Sequence, residues 1–383
     1  MRKTKEELDL IKKEYGVDRL YSWSMINTFM TSPYEYYLKY IAHAEEDRKD
    51  SAYAPLGGLC HDQLEKFYSD DITYEQMFEN FEEGWDLNIE LLDLKFNRAN
   101  EEQNESVKNK YKKNIEHFFK NHVPITNDIA VEQFISTQLF GRVFQGYIDA
   151  IEHTPNGRYN IIDWKTSTIY TGETAKEKSG QLVIYAIGLM QKGIPMEKIS
   201  IGWNFLKYVK VTHPLRNGKE KVRNIERYKI GSSLKNNIKT WLKAFNYVDD
   251  EIELLLNEVV NSNSLSCLPL EVRELYQIED CYVFLDLTKE LVKEWADIIK
   301  DTLTKIDMAE DKYYQTKNPA VFWDDEDNVR KESYYFANLC GYSSLLHAPY
   351  KEFLAKQDQE ASLFLGETEK KEEQFDMSWL DSF

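Results

Sequence analysis

Between Gly141 and Ala186 the apolar and polar positions change rhythm twice, and the rest of the chain is arranged around that stretch. From Val143 to Glu152 the positions alternate and many are β-branched or aromatic, the pattern of a strand with two unlike faces. Pro155-Asn156-Gly157 interrupts it as a turn, and Tyr159 to Thr166 reads as the returning strand, so a β-hairpin is predicted. After Ser179-Gly180 the period lengthens to that of a helix. Gln181 and Tyr185, four apart, share one helical face, with Leu182, Ile184, Ile187 and Leu189 as apolar neighbours.

The same reading extends outward in both directions. A short helix after Tyr21 is capped by Ser22 or Ser24, and another starts at Pro33 with Tyr37, Tyr40 and Ile41 on its buried side. The spacing of Leu64 and Phe67 predicts a helix from Asp62 to Tyr68, entered through the segment Ala54 to His61. Residues 72–122 read as helical throughout, with Phe78, Phe81, Trp85, Leu91 and Leu92 at helical intervals, a helical insertion before the sheet. Ala130 to Ile135 is a first strand. Ile199 to Val211 and Lys221 to Ile230 flank Pro214 and an Asn217-Gly218 turn, which predicts a protruding hairpin. Gly231-Ser232-Ser233 then caps a helical region to about Asn261, Tyr282 to Leu287 is a short strand, and Thr288 opens a helix to Met308. Tyr313 to Lys356 shows no readable period, and no internal repeat is present.

The hairpin brings chemistry together. Residues whose numbers sum to twice the turn centre face each other, so a turn at Asn156 sets Asp149 opposite, or one step from, Asp163. Strand side chains repeat with period two, which puts Lys165 on the face of Asp163 and Trp164 on the other. Two adjoining carboxylates repel unless a cation neutralises them, and hard oxygen donors suit Mg²⁺ or Mn²⁺. A bare D-x-K is nearly uninformative, since solvated strand carboxylates with a lysine partner are common.

The company of these residues changes that weighting. Gly146-Tyr147-Ile148-Asp149, then Ile161-Ile162 leading into Asp163-Trp164-Lys165-Thr166-Ser167, then Gln181 and Tyr185 resemble the PD-(D/E)XK nuclease superfamily. The likeness is to its RecB-like branch, which includes CRISPR-associated adaptation nucleases and many phage exonucleases. The opening signature of that branch is similar to the run from Ser22 through Phe29 and Pro33 to Tyr36. The resemblance implies an α/β, restriction-endonuclease-like mixed central sheet flanked by helices, with helical insertions. It implies one or two Mg²⁺ or Mn²⁺ ions held by His61, of the G-x-x-x-H beginning at Gly57, with Asp149, Asp163 and the Trp164 carbonyl. Lys165 would act on the attacking water or the phosphorane, and Gln181 and Tyr185 would hold the strand being cut. Glu132 matches a glutamate often found on the first strand. Some relatives carry a four-cysteine iron–sulfur cluster, but Ser32 precedes Pro33 here and no C-x-x-C pair occurs among Cys60, Cys267, Cys281 and Cys340, so no cluster is expected.

Composition adds limits. At 383 residues, 42% hydrophobic and 14% aromatic, the chain is globular in character. It has no run of eighteen apolar residues, and MRKTKEELDLIKKEYG lacks the apolar core of a signal peptide, so a cytoplasmic protein is expected, in the host cytoplasm if phage-encoded. The net charge of −18 argues against a broadly phosphate-binding surface. Locally, Lys207 to Lys229 holds eight Lys or Arg against two Glu, and Lys219, Lys221, Arg223 and Arg227 are the candidate DNA contacts there. Residues 366–383 set Phe375, Met377, Trp379, Leu380 and Phe383 among six acids. That is a tail fit to dock on another replication or recombination protein, after a nuclease domain at 1–365 with helical elaboration at about 62–125. The expectation is a divalent-metal-dependent DNA exonuclease with no membrane partner. A structure-specific endonuclease and a non-catalytic DNA-binding relative remain the alternatives.

Overall fold

The computed structural model describes residues 2–343 apart from Ala99, and beyond these residues 346, 347, 350–352, 355, 356 and 359. The proposed docking tail at 366–383 lies outside the described residues.

Among the described residues, seven strands form one mixed sheet. They are β1 (Leu20–Tyr21), β2 (Asp128–Leu139), β3 (Arg142–His153), β4 (Tyr159–Lys165), β5 (Ile199–Pro214), β6 (Glu220–Glu226) and β7 (Gln277–Asp286). Antiparallel β2 lines one edge of β3; the other edge takes β4 antiparallel at one end and β1 parallel at the other. β5 runs parallel to β4, and β6 and β7 both run antiparallel to β5. The helices are α1 (Lys5–Tyr15), α2 (Trp23–Thr31), α3 (Pro33–Tyr36), α4 (Tyr53–Tyr68), α5 (Tyr74–Trp85), α6 (Glu101–Asn121), α7 (Glu173–Glu177), α8 (Gly180–Gln191), α9 (Ile230–Ala244), α10 (Asp249–Ser262), α11 (Leu270–Arg273), α12 (Lys289–Thr316) and α13 (Glu326–Lys331). None of the described helices is long and apolar enough to cross a membrane.

Two helical layers cover the sheet. On one side α2, α3, α8 and α12 pack on Ile161, Trp203 and Phe205; on the other α4, α5 and α6 pack on Ala150, Ile162, Trp164 and Leu206. α8 is apolar nearly all round and buries Leu182 through Leu189, as a helix inside a protein must. A third core joins Val209, Val211 and Ile225 of the β5–β6 hairpin to Leu234, Ile238 and Leu242 of α9 and Val259 of α10.

Several expectations shift. The segment before His61 is already helix: α4 starts at Tyr53 and runs through Gly57 and Gly58, because Leu56, Cys60 and Leu64 form one buried stripe. The helical stretch from 72 is broken between α5 and α6, where Leu91 and Leu92 stand exposed. After α3 the backbone widens into a π-turn at Tyr37–Ile41, which rotates the apolar stripe. Tyr34, Tyr36 and Leu38 are therefore the buried residues there, while Tyr37, Tyr40 and Ile41 are half-buried. α12 is capped by Thr288 but continues past Met308 to Thr316. Gly231 does not cap α9, which begins at Ile230. A Cβ there would come within 2.2 Å of the Val259 carbonyl oxygen, so this glycine lets α9 and α10 meet.

Candidate active site

The site forms where the sheet splits. β3 and β4 stay paired from His153↔Tyr159 to Ala150↔Ile162 and then part, while β4 remains beside β5 as far as Lys165↔Phe205. Asp149 and Asp163, the first residues past the split, fall in the register that the turn at Asn156 predicts. Divergence deprives Trp164 of backbone partners on that edge, and the site side chains replace them. Asp149 Oδ2 accepts the Trp164 N–H at 3.0 Å, and His61 Nε2 lies 2.8 Å from the Trp164 carbonyl oxygen. That partner makes Nε2 the protonated nitrogen. His61 Nδ1 stands 3.5 Å from Asp149 Oδ2.

Lys165 Nζ is 2.7 Å from Asp163 Oδ2, on the face the period-two rule assigns. The other helical layer supplies α8, on which Gln181 Nε2 donates to the Tyr185 hydroxyl at 3.0 Å. The Tyr185 ring needs room against β3, and Gly146 provides it: a Cβ at 146 would sit 2.4 Å from the ring. Thus His61 comes from one helical layer and Gln181 and Tyr185 from the other, with the carboxylates in the sheet between them.

The electrostatics follow from burial. Asp149 and Asp163 are only 8% and 3% exposed. Burial pushes the Asp149 carboxyl up to about 6; the His61 imidazole opposes this and the Asp163 charge adds to it. Burial disfavours the Lys165 ammonium, yet Asp163 and Asp149 outweigh that and hold its pKa above the ordinary value. Burial also raises Tyr185 to about 12, with the Gln181 hydrogen bond working against the rise. Tyr185 is therefore a neutral phenol at physiological pH.

Glu132 has a place here. Its neighbours pair as Val131↔Ala150 and Gln133↔Ile148, so it lies across from Asp149, in a left-handed conformation at φ 47°. Its Oε2 is buried without a hydrogen bond, with Arg2 Nε 3.7 Å away. Glu65, one helical turn beyond His61, feels it: burial first and then the Glu132 charge raise its pKa. Only the four-residue spacing from His61 could have drawn attention to Glu65 in the sequence.

The basic candidates divide. Lys219 and Lys221 are exposed and Arg223 is half-buried, donating to the Ser233 carbonyl. Arg227 is 1% exposed, donates to the Leu206 carbonyl and pairs with Asp280, so it does not reach the surface on which a DNA contact was expected. Lys207 is likewise inside, with its ammonium 4.0 Å from the centre of the Tyr111 ring.

A mixed sheet that splits to set a lysine beside two carboxylates, between two helical layers, defines the class of nucleases with the restriction-endonuclease-like fold. The chain belongs to the PD-(D/E)XK nuclease superfamily, whose family model matches residues 21–317. A solved structure from Eubacterium rectale, described as an exonuclease candidate, is similar at 12% identity and a TM-score of 0.29, covering 73% of this chain and 90% of that one. No curated protein matches the sequence.

Members of this superfamily generally use divalent metals, and the residues here can be tested for one. Among the described residues, no three His, Cys, Asp or Glu side chains already converge as a metal cage. His61 Nε2 is occupied by the Trp164 carbonyl, and Lys165 covers Asp163. The donor chemistry nonetheless fits a hard cation: two carboxylates, a peptide carbonyl and an imidazole. Asp149 and Asp163 share the single Lys165 ammonium, which lies 2.7 Å from Asp163 Oδ2, and an ion would neutralise the repulsion left between the two carboxylates. Binding would require His61 to exchange the Trp164 carbonyl for the ion.

Proposed function

We propose that this protein is a divalent-metal-dependent deoxyribonuclease of the RecB-like branch, an exonuclease that hydrolyses phosphodiester bonds from DNA ends. The observation that carries the reading is the meeting of Asp149, Asp163, Lys165 and His61 where β3 and β4 part.

In this reading His61, Asp149, Asp163 and the Trp164 carbonyl hold Mg²⁺ or Mn²⁺. The ion, when bound, lowers the pKa of a water and neutralises charge on the scissile phosphate. Lys165 orients the attacking water and stabilises the negative charge that grows on the phosphorane oxygens, where a fixed cation is worth most. Its raised pKa keeps it charged for that role. Tyr185, neutral and steadied by Gln181, offers a hydroxyl to the phosphate backbone. Asp149 would hold the ion as a carboxylate, so metal affinity should rise with pH through about 6.

Digestion of 5′- and 3′-labelled linear, nicked and circular DNA with Mg²⁺, Mn²⁺ or a chelator tests the proposal. Chelator-sensitive shortening of linear DNA with circles spared is expected. Cutting of circular single strands would make the enzyme a structure-specific endonuclease instead. Metal-dependent heat stability without cleavage of any DNA would make it a binding protein on a nuclease fold.

A further inference from the structure

β4 ends at Lys165, paired with Phe205, but β5 continues through residues 206–214. At about 3.3 Å per residue this extension carries the chain roughly 30 Å beyond the level of the site. It is not a loose loop. β6 pairs along one edge from Tyr208↔Glu226 to Pro214↔Glu220, and β7 along the other from Val209↔Asp280 to Thr212↔Gln277. α9 and α10 close it with their own apolar core. The result is a built arm rising from the edge of the candidate active site.

Its charge is sorted. Residues 215–247 carry nine Lys or Arg against Glu220 and Glu226, in a chain of net charge −18. Four of the nine are engaged: Arg227 with Asp280, Arg223 with the Ser233 carbonyl, Lys229 with Glu226 and Lys243 with Asp249. Arg216, Lys219 and Lys221 on the hairpin and Lys235 and Lys239 on α9 are exposed, and among the described residues none of these five has a carboxylate partner. Arg216 rests on the Trp241 ring, 5.3 Å from its centre. Glu220 is exposed beside Lys219 and Lys221 and Glu226 is held by Lys229, while Asp249, Asp250, Glu251 and Glu253 gather on the first turns of α10. Mixed charge would be enough for solubility; a surface where five cations without carboxylate partners outnumber the one exposed acid of the hairpin suits a polyanion.

We propose that this face holds the phosphate backbone of the DNA substrate about 30 Å from the cut, the length of roughly nine base pairs. The proposal rests on the DNA nuclease reading and extends it: the protein grips its substrate at two places, and only DNA long enough to span both gains from the arm.

The test compares the full chain with a variant in which Arg216, Lys219, Lys221, Lys235 and Lys239 are all glutamine. Binding and cleavage of duplexes of about 6 and about 30 base pairs are followed across a salt series. All five side chains are exposed, so the melting temperature should not change. On the long duplex, binding should weaken at least about tenfold, and the slope of log affinity against log salt should fall by up to about 4. On the short duplex the two proteins should behave alike. An unchanged salt slope on the long duplex overturns the proposal and leaves the face for an acidic protein. An equal loss on both lengths also overturns it, because the cations would then act at the cut. If neither protein cleaves, the nuclease reading fails while the binding series still decides the arm.

Discussion

Two buried carboxylate clusters lie in this sheet, and they are finished differently. Asp280 on β7 is fully partnered: Arg227 meets Oδ1, while His122 Nδ1 at 2.6 Å and the Val123 N–H meet Oδ2. Burial alone would raise its pKa, yet His122 and Arg227 together hold it below the ordinary value. Asp149 and Asp163 are as deeply placed but share one ammonium, that of Lys165, and Asp149 is pushed up to about 6. A protein that completes one buried acid and leaves another incomplete is using them for different ends. The first is a joint between β7, α6 and the arm; the second has capacity left for a ligand.

The largest effect should come from the incomplete cluster. Asp163→Ala or Asp149→Ala should lower DNA cleavage by more than about a thousandfold, and Asp149→Ala should leave the melting temperature of metal-free protein unchanged or higher because a repelling charge is gone. Activity above a few per cent would undo the assignment. Lys165→Ala should lower turnover by about a hundredfold or more while calorimetry still registers metal binding.

The complete cluster should answer in stability instead. Arg227→Ala leaves Asp280 buried without its cation and should cost about 3–5 kcal/mol in chemical denaturation, with cleavage per folded molecule retained. A variant as stable as the parent would erase the contrast between the clusters.

Acid should separate them more gently. Asp280 has a depressed folded pKa, so its stabilisation is complete above the unfolded value near 4 and is lost as pH falls through the lower folded value. Asp149 is the reverse. With a folded value of about 6 against 3.8 unfolded, it favours the fold below about pH 4, and that contribution is lost as pH rises to about 6. Metal-free melts from pH 4 to 7 should therefore show a decline that Asp149→Asn removes and Asp280→Asn does not.

What could be read in the sequence was local. The Asp149–Asp163 register follows from one turn, the Lys165 face from strand period, and the Gln181–Tyr185 pair from helix period, and none needs a distant partner. Arg227 reads as a DNA contact because it sits in the most basic run of the chain, while its partner Asp280 lies 53 residues further on. A pairing across that separation leaves no periodic trace. The helix through Gly57-Gly58 is not legible for a related reason: intrinsic propensity disfavours it, and packing of Leu56 and Cys60 under the sheet supports it. Glu132 could be named, but not its left-handed backbone or its position across from Asp149, which depend on strand pairing.

The most direct test is calorimetric titration of Mn²⁺ into the full chain and into Asp163→Asn at pH 7. If the adjoining carboxylates are a cation site, the parent binds Mn²⁺ and the folded variant binds at least about tenfold more weakly. Equal affinity in the two proteins would show that Asp163 does not hold the ion, and the account of this site would be wrong.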